Sequence, residues 1–437
     1  MARGPARGGA VSEHVELPRR WTPPALYLLL DLPYGAAVGY LSVAVPFWLA
    51  ARGVPLADIA ALSATAFLPH ALKIFWVPLL DVGSHRRAWY LAMVGGTAAL
   101  LAILSSFPQL VDRLWLYTVL LTALQVAATT GHAALNALVA VTTHERDKAK
   151  AAGYYMASNV GGTGLLGALA LWLGSHVSPS AAGLVLAAIV LVTGAGALMI
   201  VEPRGEAGAV GSALGLLLRR LGAIAADLWR TARSREGFTG LLISLAPVGC
   251  GALTNLFSGI AHDYEASQSL VEVVNGFGGG LAGALGSLVG GALADRMNRR
   301  LAYALAGGVT ALAAIAMLAA PMTPTTYAWG TLSYSFANGI AFATWAGMVL
   351  DVVGTGAAVA TSYALFVASS NLAISYVTAL DGWASGFRGL DGGWPYPAGA
   401  RGALAFDAII TFVGIALLLA MVAVTRRMGP AAPRSTP

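Results

Sequence analysis

Charged side chains are scarce in this sequence. Only 11% of its 437 residues are Asp, Glu, Lys or Arg, whereas 57% are hydrophobic. Soluble domains carry about 25% charged residues, so this composition excludes a water-covered globular protein and indicates that lipid is the main solvent. A single cysteine, Cys250, excludes an internal disulfide. The sequence also lacks HExxH, GxSxG and paired intramembrane aspartates, and we therefore predict that the protein is not an enzyme.

Long apolar stretches are abundant. A membrane-spanning helix needs about 20 predominantly apolar residues, and it satisfies its own backbone hydrogen bonds in lipid. We therefore predict an all-α membrane protein with twelve transmembrane helices, placed at residues 24–49, 56–80, 88–107, 114–141, 151–173, 181–201, 238–261, 267–293, 301–320, 326–353, 357–384 and 403–424.

The distribution of Lys and Arg predicts the orientation. If the first residues are cytoplasmic, the segments on that side contain 21 of the 26 Lys and Arg residues, and the opposite loops contain four. By the positive-inside rule both termini lie in the cytoplasm. The net charge of +6 then reflects membrane orientation and predicts no nucleic-acid partner. Arg outnumbers Lys by 23 to 3, which is typical of a GC-rich bacterial genome and predicts a bacterial inner membrane.

Two loop sequences indicate an internal duplication. Residues 290–300 read GGALADRMNRR, and residues 78–87 read PLLDVGSHRR. Their aspartates, Asp81 and Asp295, are 214 residues apart, which is close to half the chain. The first apolar stretches of the two halves, which begin at residues 24 and 238, have the same offset. The repeat predicts two pseudo-symmetric bundles of six helices each.

The loop sequences resemble the GxLaDrxGrr signature of the major facilitator superfamily, strongly in the second copy and partly in the first. The resemblance implies the major facilitator fold, in which two bundles alternate between inward-open and outward-open states. The aspartates and arginines of the two loops are then predicted to latch neighbouring helix ends and to set the balance between these states. The predicted gating residues are Asp81, Arg86, Arg87, Asp295, Arg296, Arg299 and Arg300.

The predicted organisation has five parts. They are a cytoplasmic tail (1–23), the first bundle (24–201), a cytoplasmic linker (202–237), the second bundle (238–425) and a second tail (426–437). The linker has apolar residues on one side of a helical pattern and arginines on much of the rest, which predicts an amphipathic helix on the membrane surface.

Four ionisable residues fall inside predicted spans of the first bundle: Asp31, His70, Lys73 and His132. An ionisable group at membrane depth costs about 2.5–3.5 kcal/mol or more, so each needs a partner or a function. We expect Asp31 and Lys73 to form an ion pair, with a static structural role and a substrate or proton role both open. His132 suits proton exchange near neutral pH, and Asn136 follows one helical turn later on the same face.

The second bundle carries fewer charges within its spans. Asn255 and Asn338 are predicted to hydrogen-bond a solute in the central pathway. Asp381 and Asp407 fall near predicted helix ends, where we expect them to be solvated at the surface and to take no part in the pathway. No metal or cofactor site is predicted.

The first two predicted spans carry a more specific resemblance. They contain LPYG at residues 32–35, a Gly-Val-x-Leu-x-x-Ile loop at 53–59 and LPHALKIFWVPLLD at 68–81. These blocks resemble the peptide/acetyl-coenzyme A transporter branch, which includes the AmpG-type muropeptide permeases and usually carries QDxxxDA in the fourth span. Here the corresponding stretch reads GHAALNA, so His132 and Asn136 replace both acids.

These observations predict a secondary active transporter, or permease, that moves a polar or amphiphilic organic solute, such as a muropeptide-like cell-wall fragment, by alternating access. Proton coupling by symport through His132 or Asp31 is part of this hypothesis. The alternatives are a proton-linked exporter and a transport-inactive membrane sensor or scaffold. The expected partners are the solute, protons and the lipid bilayer, and the expected state is a monomer.

Overall fold

The computed structural model of the protein describes residues 21–77, 80, 86–202, 222, 225–226, 229–230, 233–353, 359–386 and 399–427. These residues form helices and turns, and no strand occurs among them. The prediction of an all-α protein is therefore confirmed. Asp81, most of the predicted linker helix and nearly all of both predicted tails lie outside the described residues.

Twelve helical segments are found in the described part of the chain, six in each half. The first six are α1 (Leu26–Ala51), α2 (Leu56–Leu72), α3 (Arg86–Ser106), α4 (Leu114–Thr142), α5 (Lys148–His176) and α6 (Pro179–Met199). The next six are α7 (Arg235–Leu245, continued by short turns to Tyr264), α8 (Gln268–Arg296), α9 (Arg299–Ala319), α10 (Pro324–Val353), α11 (Val359–Gly386) and α12 (Ala400–Arg427). Nine of these described helices are long and apolar enough to cross a membrane; α2, α7 and α10 are not among the nine.

Each half is a bundle, and four helices form most of the contact between the two. Within the first half α3 packs on α4 and α6, and α1 packs on α5; within the second half α10 packs on α8 and α9, and α12 packs on α9 and α11. Between the halves α2 packs along α11, and α5 packs along α8. A bundle-on-bundle arrangement with these contacts between the halves leaves space at the centre of the molecule.

The two halves meet closely at one end of the molecule. Consecutive helices reverse direction, so the α1–α2 and α7–α8 turns lie together at this end, called here the far face, and α1 begins and α12 ends at the opposite terminal face. Near the far face, the rings of Phe47 and His262 stack with their centroids 5.1 Å apart. Gln268 donates a hydrogen bond of 3.0 Å to the carbonyl oxygen of Leu171. The interface is therefore closed at the far face.

Helix α7 departs from the predicted continuous span 238–261. Its regular part ends at Leu245, and the helix resumes as a tight turn only at Ala252. The intervening sequence APVGCG explains the break: Pro247 lacks a backbone N–H, and Gly249 (φ 56°) and Gly251 (φ 77°) adopt left-handed conformations that disfavour other residues. The prediction of an uninterrupted helix here is wrong.

Helices α1 and α8 each contain a π-helical turn, at Tyr40–Ala44 and Glu272–Gly278. In α1 the cause is Pro46, whose ring clashes with the carbonyl group four residues earlier, at Ser42, in a regular helix. Such turns widen a helix locally and are common at functional sites.

Glycines allow α5 and α8 to touch along their backbones. A Cβ atom placed on Gly164 would lie 2.9 Å from the carbonyl carbon of Gly276 on the other half. Only glycine on both sides permits this approach, which is the usual device for tight helix packing in membranes. The glycine-rich stretch of α5 therefore contributes directly to the contact between the halves.

We predict that Gly164→Ala weakens the contact between the halves, because the added methyl group overpacks the interface by about 1–3 kcal/mol. The matched control is Gly161→Ala on the same helix, where no atom lies within 4 Å of an added Cβ. Both substitutions raise helix propensity equally, so the difference between their unfolding midpoints isolates the interface. Equal midpoints would show that the Gly164–Gly276 contact does not hold the halves together.

Candidate functional site

A cavity of about 370 Å³ lies between the two halves. Its walls come from α1, α2 and α5 of the first half and from α7, α8, α10 and α11 of the second half, with Tyr303 of α9 at its edge. This volume is near the lower end of the range of about 300–1,000 Å³ that is usual for small-molecule sites.

The cavity lining is polar but carries little charge. Among the described residues that line it there is no Asp, Glu, Lys or Arg, and His70 is its one histidine. Amides and hydroxyls supply the polar groups, and six aromatic rings supply flat apolar surface. The amides are Asn159, Asn255, Asn275, Asn338 and Asn371, and the rings belong to Tyr34, Phe67, Phe257, Tyr303, Phe342 and Trp345.

The break in α7 contributes backbone directly to the cavity wall. Gly249, Cys250 and Gly251 all line the cavity, and Asn338 of α10 donates a hydrogen bond of 3.2 Å to the carbonyl oxygen of Gly249. Irregular backbone at membrane depth is tolerated where it lines a cavity or is buried in protein, and both conditions hold here. The sequence signal for this feature was the Pro-x-Gly-x-Gly pattern, which the span prediction passed over.

The predicted asparagines reach the cavity with defined partners. Asn255 donates to the hydroxyl of Thr378 at 3.3 Å, which links α7 to α11. Asn275, on the π-helical turn of α8, donates to Ser258 at 2.7 Å and to Tyr327 at 2.9 Å, and its buried carbonyl oxygen has no partner among the described atoms. The structure thus places Asn255, Asn275 and Asn338 in the cavity wall, and their hydrogen bonds to a solute stay a prediction.

Asp31 pairs with His132 and not with Lys73. The Nδ1 atom of His132 lies 2.8 Å from an oxygen of Asp31, and the two side chains are 10% and 0% exposed. The hydroxyl of Tyr155 also contacts both ring nitrogens of His132. The expected Asp31–Lys73 ion pair is therefore wrong, because α4 places its histidine against α1 and satisfies the acid first.

Tyr34 connects this pair to the cavity by a ring contact and begins a second chain of hydrogen bonds. Its ring, which lines the cavity, packs at a tilt against that of His132 with centroids 4.0 Å apart, and its hydroxyl lies 3.2 Å from Nδ1 of His70. On the other side, Nε2 of His70 lies 3.1 Å from the carbonyl oxygen of Gln125, whose amide group donates to the backbone oxygen of Ala37 at 2.9 Å.

The fixed amide determines the direction of this chain. Because the carbonyl oxygen of Gln125 only accepts, Nε2 of His70 must carry the proton that it donates. In the neutral ring Nδ1 then accepts from the hydroxyl of Tyr34. Asn371 of the second half donates to the backbone oxygen of His70 at 3.4 Å, so the network also reaches across the interface. Gln125 was not predicted, although it is a polar residue within an apolar span.

Lys73 and Asn136 stand beside this network. Lys73 is half-buried in a short turn that follows α2, and it interacts electrostatically with both His70 and His132. Asn136 is exposed and interacts with Tyr155. Of the seven predicted pathway residues, His70, Asn255 and Asn338 line the cavity, and Asp31, Lys73, His132 and Asn136 belong to the network beside it.

Two acids of the second half are buried instead of solvated. Asp381 on α11 and Asp407 on α12 are 0% and 1% exposed, which makes the prediction of a solvated surface role wrong. Asp407 also interacts electrostatically with Asp381. Helix α12 begins near the end of α11 and returns alongside it, which brings the two positions together. Within the described part of the chain, no three His, Cys, Asp or Glu side chains form a metal-binding group.

Comparison with known proteins identifies the family. Residues 28–378 match the sequence profile of the Major Facilitator Superfamily. The chain belongs to this superfamily. Similar solved structures include the nucleoside transporter NupG (TM-score 0.68, 12% identity, covering 91% of this chain and 98% of that one) and a single-residue mutant of it (TM-score 0.69, 13% identity, with the same coverage). A bacterial homolog of the human lysosomal transporter Spinster, in an inward-facing and occupied conformation, is also similar (TM-score 0.65, 14% identity, covering 93% and 98%). At these identities the likeness establishes the fold.

The predicted gating arginines of this facilitator lie at the terminal face. Arg87 donates to the backbone oxygen of Ile200 at 2.8 Å, and the backbone amides of Arg86 and Arg87 donate to Glu202, so the start of α3 is tied to the end of α6. In the second half, Arg299 donates to the backbone oxygen of Gly347 at 3.2 Å.

The other members of the second loop form fewer contacts in the described structure. Asp295 and Arg296 are exposed at the end of α8, and Asn298 caps the backbone amide of Arg300 at 3.1 Å. Asp81 lies outside the described residues. The aspartate latch between helix ends therefore stays a prediction.

We predict that Gly251→Ala impairs solute flux through this facilitator. The residue has a left-handed backbone, and an added Cβ would lie 2.6 Å from Cγ of Asn338 in the cavity wall. Gly291→Ala on α8, where no atom lies within 4 Å of an added Cβ, is the control. The measurement is initial uptake per folded protein in proteoliposomes, and normal flux in Gly251→Ala would show that the broken segment does not shape the pathway.

Proposed function

We propose that this facilitator is a secondary active transporter of a small, uncharged polar solute. The observation that carries the proposal is the cavity between the halves, whose polar groups are amides and hydroxyls and whose apolar surface is largely aromatic. Amides donate to and accept from hydroxyl groups, and aromatic rings stack on sugar or base faces. A charged solute would enter this cavity without an opposite charge among the described lining residues, which is unfavourable in a low-dielectric site.

The arrangement of the halves supports alternating access. The interface is closed at the far face by contacts such as Phe47–His262, while the cavity wall extends toward the terminal face as far as Tyr303 and Trp345. With both termini in the cytoplasm, as the Lys and Arg distribution predicts, this is the inward-facing state of a bacterial inner-membrane protein. Rocking of α2 on α11 and of α5 on α8 would open the far face and close the terminal face.

The Asp31–His132 pair is the proposed coupling group for protons. It is buried, it joins α1 to α4, and Tyr34 connects it to the cavity. A proton bound there changes the charge of the pair inside the first bundle, which favours whichever arrangement of helices solvates that charge best. Because substrate and proton would both act on Tyr34, their binding would be linked, and we propose that each favours the binding of the other, as symport requires.

A panel of labelled solutes in proteoliposomes tests the proposed function. Uridine represents the solutes of the nucleoside transporter NupG, and sucrose represents uncharged sugars. An anhydromuropeptide represents the branch that the first two spans resemble, where Lys73 at the edge of the network could contact an anionic group. Accumulation of an uncharged solute supports the proposal, and accumulation of the muropeptide alone would replace the uncharged class by an anionic one. No flux of any solute by well-folded protein would favour a sensor or scaffold.

We predict that His132→Ala abolishes accumulation driven by a proton gradient but spares solute exchange, which needs no net proton movement. His176→Ala, at the exposed far-face end of α5, is the matched control and should leave both activities intact. The comparison uses the same solute under counterflow and under an imposed pH gradient. Unchanged accumulation in His132→Ala would remove His132 as a coupling group.

A further inference from the structure

A pair of buried acids in the second bundle is not used by the pathway described above. Asp381 lies five residues before the far-face end of α11, and Asp407 lies seven residues after the far-face start of α12. A Cβ atom placed on Gly402 would lie 2.6 Å from the backbone oxygen of Ala384, and this antiparallel register of the two helices places Asp407 close to Asp381. The hydroxyl of Tyr334, which is itself fully buried on α10, lies 3.2 and 3.1 Å from the two oxygens of Asp407 and donates to this carboxyl. Neither carboxyl oxygen of Asp381 has a hydrogen-bond partner among the described atoms.

No described basic side chain compensates these acids. Arg401 on α12, a turn and a half before Asp407, interacts with Tyr264 instead. The helices α2 and α9, which pack against α11 and α12, add no ionisable side chain that acts on either carboxyl; Asp58 at the start of α2 is exposed.

The remaining titratable neighbour lies toward the cavity. Cys250, in the broken segment of α7, lines the cavity and interacts electrostatically with Asp381 and Asp407. Cys250 also interacts electrostatically with Tyr303 of α9 and Tyr376 of α11. Among the described residues, Cys250 thus connects the two acids to the central cavity. Tyr334 is the one described side chain that donates a hydrogen bond to either of them.

Two ionised carboxylates cannot both persist in such a place. Burial in a low-dielectric medium disfavours each charge, and the two like charges repel each other. One tyrosine hydroxyl satisfies at most one oxygen, and it donates to Asp407. A proton placed between the carboxyls removes one charge and supplies Asp381 with the donor or acceptor that it lacks. Acid pairs at close range share a proton for this reason.

We propose that Asp381 and Asp407 form a proton-binding site in the second bundle and that this site exchanges its proton with the central cavity past Cys250. The site deepens the proposed function, since it gives the second bundle a protonatable element separate from Asp31–His132 in the first. Binding of the proton by the two acids does not depend on any solute. A role of this proton in coupling rests on the proposed transport function.

Infrared difference spectroscopy of the full-length protein in lipid nanodiscs tests the bound proton without a solute. Subtraction of the spectrum of the Asp381→Asn, Asp407→Asn double variant from that of the native protein at neutral pH should leave a protonated-carboxyl C=O band. Subtraction of the exposed-site control Asp58→Asn should leave none. Absence of the band from the first difference spectrum would overturn the proposal. Loss of the band when sodium replaces choline at constant ionic strength would also overturn it, in favour of a sodium site.

A conservative variant checks that the band belongs to this pair. In Tyr334→Phe the carboxyl loses its donor, so the C=O band is expected to shift to higher wavenumber while the fold is kept. An unshifted band would show that the proton is held on Asp381 without the involvement of Asp407, which would contradict a site that the two acids share.

The exchange route has its own test. Cys250→Leu should slow replacement of the band by its deuterated counterpart several-fold after transfer to D₂O, whereas the smaller Cys250→Ala should not. Equal rates would remove the route past Cys250. The spectroscopic and transport measurements distinguish the two proposals. If the protein shows the band but moves no solute, the proton site stands and the proposed transport function fails. If the protein accumulates solute under a proton gradient but shows no band, the transport function stands and the proton site fails.

Discussion

The free energy required to place a polar group in lipid is the constraint on which the rest of the structure depends. Backbone groups meet it by forming helices, and side chains meet it by pairing inside the bundles or by facing the central cavity. Asp31 is fully buried because His132 lies 2.8 Å away, and the broken segment of α7 is tolerated because Asn338 and the cavity receive its backbone groups. The polar features of this protein therefore mark its functional interior.

The two bundles solve the same problem differently. The first buries an acid against a histidine and extends that pair through Tyr34 and His70 to the interface with the second bundle. The second bundle lines the cavity with neutral amides and keeps its acids behind them, around Asp407. A cavity with neutral walls suits a transporter that recognises its solute by hydrogen bonds and, under the proposed function, binds protons on the buried acids of the two bundles. The two bundles thus differ in the polar chemistry that each presents to the central cavity.

The sequence predicted those features that depend on local pattern. Apolar length located the helices, and the cost of polar groups in lipid pointed to His132, Asn255 and Asn338. The partner of Asp31 could not be predicted, because spacing along the chain does not say which of two cations a neighbouring helix will present. Asp381 was misread because distance from a helix end measures depth in the bilayer and not burial between helices. The break in α7 was readable from its proline and glycines, but hydropathy alone favours a continuous span.

Alternating access around the cavity is the central claim, and a reversible cross-link tests it most directly. In a Cys250→Ala background, Phe47→Cys and His262→Cys place thiols on the two halves at the far face, where the native rings stack 5.1 Å apart. Oxidation should lock that face shut and abolish uptake of the solute that the unlinked protein moves, and reduction should restore it. Uptake at the full rate with the cross-link in place would contradict the account, because the solute would then cross without opening of the far face.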